Sequence, residues 1–164
     1  MSLFRKSGHL FHVISVGMLI LLNACSHVKT DHYPNGSIRS EITIQGGHFN
    51  GPARFYFESG ALMTECHYVN DSLEGQLIRY HENGSRQEVK YYKMNRPDST
   101  CRSWNGQGQL LVDAFYHLGL LEGNYREYYD NGQLKTSGRY RNGEPVGLWL
   151  YYDQNGYVIG KENH

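Results

Sequence analysis

The sequence predicts an all-β chain: an elongated, twisted, single-layer antiparallel β-meander of about six 24-residue hairpin repeats. Two observations predict it. Glycine recurs at a fixed step of 24 residues, at Gly36, Gly60, Gly84, Gly108, Gly132 and Gly156, and a ring stands four positions before each: His32, Tyr56, Tyr80, Trp104, Tyr128 and Tyr152. Such self-similarity marks an array of one supersecondary unit rather than a conventional globular enzyme. A second reversal follows eleven positions after each of the first five glycines, at Gly47, Asp71, Asn95, Gly119 and Gly143. Each unit therefore holds two strand-length runs and two turns, and Gly, Asn and Asp are the residues that tolerate the positive φ of tight turns. No run between turns is long enough for a helix with a buried stripe.

Residues 1–24 stand apart from the array. Arg5 and Lys6 form a basic start, and residues 13–22 form an apolar run of ten broken only by Ser15 and Gly17. About 20 apolar residues are needed to cross a bilayer, so this run reads as the core of a signal peptide. It ends in Leu22, Asn23, Ala24 and Cys25, which resembles the lipobox of bacterial lipoproteins. The resemblance implies cleavage before Cys25 and a diacylglycerol on its sulfur. An ordinary signal peptide with Cys25 as a bystander is the alternative. Ser26, where an Asp would favour the inner membrane, points to the outer membrane. Residues 25–31 are expected to be a short tether and 32–164 the repeat domain.

Charge narrows the partners. The chain carries 16 basic and 16 acidic residues, and loss of Arg5 and Lys6 leaves 14 against 16, a net −2. That balance gives no electrostatic case for nucleic acid or for a polybasic membrane patch. The expected membrane contact is the lipid anchor alone, for which acyl chains suffice.

The units follow in order. An aliphatic stands two positions after most of the key glycines (Ile38, Leu62, Leu110, Leu134, Val158; Arg86 in the third unit). A three-residue loop such as Asp130, Asn131 and Gly132 pairs the ring at −4 with the residue at +2, which is a type I turn closed by a left-handed Gly and a G1 bulge. Positions +4, +6 and +8 are then expected on the same face as that ring, forming one ladder that includes Tyr68, Tyr92, Tyr116 and Tyr140. No helix is present to cover a face, so this ladder must supply a thin core. Gly132 is expected to resist Val because it needs positive φ, whereas mid-strand Gly138 is expected to accept it.

The stretch from Tyr128 through Leu134, with Tyr140, Asn142, Gly143, Gly147, Trp149, Tyr151 and Tyr152, resembles the variant MORN repeat. The resemblance spans roughly residues 32–160 and blurs in the third unit, where Arg86, Pro97 and Ser99 depart from it. It implies a binding or spacer element without a shared catalytic residue. Bacterial members are commonly described as antitoxin-like.

Motifs for chemistry are sparse. There is no Cys-x-x-Cys, His-Glu-x-x-His or phosphate-cradling loop, and no cofactor, metal site or catalytic residue is expected. Cys66 and Cys101 fall three strand spacings apart, roughly 14 Å, beyond disulfide reach, so both are expected as free thiols. A second set of rings falls at odd offsets: Tyr33, Phe57 and Tyr129 at −3, Tyr91 and Phe115 at +7. These form the candidate binding face, with inter-unit packing as the competing explanation. Arg86, Lys90 and Arg96 of the third unit have no packing role legible in the sequence. The expected function is a non-enzymatic, lipid-anchored scaffold of the bacterial cell envelope that binds a protein or an envelope polymer. The alternative is an antitoxin or immunity-type protein that sequesters a toxin.

Overall fold

The structure, a computed structural model, describes residues 25–164. The signal peptide assigned to residues 1–24 lies outside the described residues. The strands are β1 (Ser26–His32), β2 (Ile38–Gln45), β3 (His48–Tyr56), β4 (Leu62–Val69), β5 (Ser72–Leu73), β6 (Gly75–Tyr80) and β7 (Arg86–Lys93). They continue with β8 (Arg96–Trp104), β9 (Leu110–His117), β10 (Leu120–Leu121), β11 (Gly123–Tyr128), β12 (Leu134–Arg141), β13 (Glu144–Tyr152) and β14 (Val158–Asn163). All pair antiparallel in one open sheet whose order follows the chain, with short β5 and β10 attached to β4 and β9. Sequential hairpins leave no crossover to make, so the meander of the sequence reading is what forms.

The key glycines do what their spacing predicts. All six have φ between 82° and 88°, and each N–H donates to the carbonyl three residues before it, as Gly60 does to Phe57 at 2.9 Å. The ring at −4 pairs with the residue at +2 in every unit, for example Tyr56 with Leu62 and Tyr128 with Leu134.

The second turns are two-residue loops with positive φ at both positions, 47° and 65° at Asn70 and Asp71, 51° and 84° at Asn142 and Gly143. That is the type I′ geometry whose twist matches flanking strands. These turns stack: the N–H of Asn95 donates to Leu73 O at 3.1 Å and that of Gly143 to Leu121 O at 2.9 Å. Acidic side chains one unit earlier accept from the turn amides, Glu74 from Met94 at 2.7 Å and Glu122 from Asn142 at 2.8 Å. Met94 occupies the left-handed region at φ 48° and is 61 % exposed. Met94→Asn, which suits that region better, should stabilise by about 1 kcal/mol and raise the melting temperature by roughly 3 °C; an unchanged or lower melting point would contradict the turn assignment.

Two expectations need correction. Residues 25–31 are not a tether, because Ser26–His32 forms β1 and pairs along its length with β2. Apart from Val28 its residues are polar and carry no apolar alternation, so the strand owes its place to the neighbouring ladder and to the Asp31–Arg39 ion pair. The −4 rings also do not share a face with +4, +6 and +8. An extra residue follows +2 on each returning strand, shifting register between Phe55 and Tyr56 and at the equivalent place in the other units. A bulge of this kind reverses which face the following residues take. Tyr56 and Tyr80 consequently bond outward, their hydroxyls donating to Glu41 and Glu65 at 2.6 Å each.

The core face is built instead from positions −7 and +6, with −5, +4 and +8 around them. Its central row runs strand to strand through Ile42, Ala53 and Cys66, then through Lys90, Cys101 and Ala114. Ala53, Cys66, Leu77, Cys101, Ala114 and Trp149 are its most buried members. Lys90 has a packing role after all: it is half-buried, with Nζ 3.1 Å from Glu88 and 5.3 Å from the centre of the Tyr116 ring. At the C-terminal end Trp149 packs with Tyr125 and Tyr140, ring centres 5.8 and 5.0 Å away. A Cβ at Gly138 would lie 2.2 Å from two carbons of the Trp149 ring. Gly138 therefore does not tolerate Val as the sequence suggested; its bare backbone is the surface on which the indole lies.

Candidate binding surface

The opposite, outer face carries a polar row through the middle of the sheet. Glu41 pairs across to Arg54, and Arg54 to Glu65. Further along, Arg102 faces Asp113, and Asp113 faces Arg126. Charges of opposite sign thus face each other on adjacent strands; Arg102 Nε and Asp113 Oδ1 are 2.9 Å apart.

Two grooves open in this row for one structural reason. The type I′ hairpins occur in two forms. Three keep their strands whole (β2–β3, β7–β8, β12–β13), while the other two break at β5 and β10. At each break the registered pairing falls to two residues per strand, Thr64 and Glu65 with Arg79 and Ile78, Val112 and Asp113 with Glu127 and Arg126. Glu74 and Glu122 then donate their N–H across to the carbonyls of His67 and Phe115, 2.9 Å in both. The first groove, about 450 Å³, is lined by Arg54, Glu65, His67, Gln76 and Ile78. The second, about 270 Å³, is lined by Arg102, Asp113, Phe115, Asn124 and Arg126. Each lining residue of the second stands 48 positions after its counterpart in the first, so the grooves are one feature repeated.

The five rings nominated from sequence do not form one stripe. Tyr91 and Phe115 lie on the outer face and are 37 % and 41 % exposed; Phe115 lines the second groove, and the Tyr91 hydroxyl accepts from Gln76 at 3.1 Å. Tyr33, Phe57 and Tyr129 sit at the glycine turns and are half-buried. The hydroxyls of Tyr33 and Tyr129 donate to the carbonyls of Tyr56 and Tyr152, at 2.7 and 2.8 Å. His81 Nε2 lies 2.9 Å from Trp104 O at the equivalent place. These rings stitch one turn to the next, so replacing them disturbs the stack and not only a surface. The sequence held the signal: position −3 alternates Tyr33, His81 and Tyr129 with Phe57, Asn105 and Asp153, a 48-residue period laid over the 24-residue one. The grooves were missed for the same reason.

Arg, Glu, Gln and Asn side chains flank the apolar Ile78 and Phe115, offering donors and acceptors beside a dry patch. The two thiols of the domain face the other way, free and buried. Burial pushes both Cys66 and Cys101 above their ordinary range, leaving them protonated and weak as nucleophiles at neutral pH. Among the described residues no three metal-ligating side chains converge. Cys25 is exposed and directly precedes the edge strand β1.

A family model, the MORN repeat variant, matches the chain at residues 49–70, 73–94 and 121–142. The matched stretches reach into the third unit as far as Met94, taking in Arg86 but not Pro97 or Ser99, and leave out the turns at Gly36, Gly108 and Gly156. At Gly108 the residue before the key glycine is Gln107 in place of the usual Asn. A comparison with curated proteins finds no match.

Proposed function

We propose that the chain is a non-enzymatic repeat scaffold, anchored by lipid on Cys25 at the outer membrane of a bacterial cell envelope, that binds a protein or an envelope polymer through the outer face of its sheet. The observation that carries this reading is the recurrence of one groove, with the same backbone break and the same positions around it, four strands further along. At about 4.8 Å per strand the two lie roughly 19 Å apart along an untwisted sheet, a spacing suited to an extended partner touching both. The exposed Cys25 beside β1, together with the lipobox-like residues before it, supports the anchor.

Two measurements test it. Cys25→Ser should abolish metabolic labelling with palmitate and release the protein from membranes; a variant still labelled would end the lipoprotein reading. Cross-linked capture from the native envelope should be weakened by Phe115→Ser and Arg54→Ser together, with melting little changed. Recovery of one stoichiometric, tightly held protein toxin would replace the scaffold reading by the antitoxin one.

A further inference from the structure

We propose that the two open edges of the sheet are complementary, so that β14 of one copy docks on β1 of a second copy and extends the sheet head to tail. Among the described residues β1 pairs only with β2, and β14 only with β13, so each leaves one row of backbone donors and acceptors open, which is a template for another strand. The two edges are not alike. β14 is a strand that follows a key glycine, and β1 is a strand that precedes one. Every internal junction between those two kinds of strand uses one register, Ser40 with Phe55 and Glu41 with Arg54 in the first, Thr136 with Tyr151 and Ser137 with Leu150 in the last. An edge-to-edge contact in that register is the sixth junction of the series, made between copies.

The side chains fit it. The register sets Gly160 against Asp31, Lys161 against Thr30 and Glu162 against Lys29 of the second copy, and no like charges oppose each other. Lys29 and Glu162 are the two ends of the core row: Lys29 pairs with Ile42 at one edge, and Glu162 with Trp149 at the other. A row that is mostly apolar inside thus ends in opposite charges at the same face position, which a docked copy joins into a cross-strand ion pair. Each edge also exposes apolar surface for a neighbour to cover, Val28 at 57 % and Ile159 at 67 %. Charges on edge strands also serve to keep copies apart; their opposite sign in one row is what favours docking.

Sedimentation velocity of the full chain, purified in detergent, decides between these. Association should grow with concentration and weaken with salt. Lys29→Glu and Glu162→Lys should each raise the concentration needed for association about tenfold or more, and the double reversal should return it to within about threefold of the original. Melting curves of all three should match the parent, since both side chains lie at the sheet's edges. A monomer at all concentrations would overturn the proposal and leave the charges as protective caps. Association sensitive to Glu162 but not to Lys29 would overturn it in favour of a symmetric β14–β14 contact. Association indifferent to both would place the contact elsewhere.

Discussion

Gly138→Val should be the most damaging single change in the domain, costing about 3 kcal/mol or more. A Cβ there collides with the Trp149 ring at 2.2 Å, and the colliding atoms are the rigid centre of an indole packed against both Tyr125 and Tyr140. No flexible end can swing aside, so either the ring leaves its site or the strands separate, and overpacking of this kind reaches or exceeds the upper end of its usual range. Gly132→Val, by contrast, strains one backbone position at φ 82° with nothing near its Cβ, a cost of about 1–3 kcal/mol. The order of the two melting temperatures is the test. A second measurement separates collision from any general intolerance of β-branching: Trp149→Leu in the Gly138→Ala background should recover part of the loss, because position −7 holds Leu77 in another unit. A Gly138→Val protein that melts with the parent would show that the indole does not lie on that backbone.

Neighbouring residues on β9 should behave oppositely. Tyr116→Ser should cost about 2–3 kcal/mol, and Phe115→Ser about 1 kcal/mol or less. Tyr116 lies on the core face, where burial pushes its phenol above the ordinary range, and its ring is the surface over which Lys90 lies. Its loss removes one wall from around that ammonium, which is already half-buried. Phe115 points outward into the second groove and is already 41 % exposed. Thermal melts of the two variants check the assignment of faces; equal losses would mean that the rings at +7 help hold the sheet together.

The glycine period made the meander legible because positive φ has few side-chain solutions. The loop pairing of −4 with +2 followed from it for all six units. What the sequence hid was the residue inserted after +2. A bulge leaves no composition of its own, since Met63 at that place looks like any strand residue, yet it decides which face Tyr56 and Tyr80 take. The role of Gly138 was hidden differently. Its partner Trp149 lies on the next strand, and only the pairing shows that a missing side chain on one strand answers a large one on the other. The groove pair was written in the sequence as the alternation at −3, but a search for 24-residue similarity averages it away. The strand β1 was the least legible, because its pairing rests on β2 rather than on its own residues.

The order of the strands has a mechanical consequence. The two ends of the described chain leave from the outermost strands, β1 and β14, on opposite borders of one sheet. Tension applied between Cys25 and His164 therefore acts across the ladders and not along them. Inter-strand bonds are then loaded a few at a time, starting at a border, instead of sharing the force as they would under shear. Each 24-residue unit that peels away releases about 80 Å of contour at roughly 3.4 Å per residue, while the units behind it keep their pairing. Pulled in this direction, the domain yields in steps and re-forms by re-zipping, as an extensible link rather than a rigid strut.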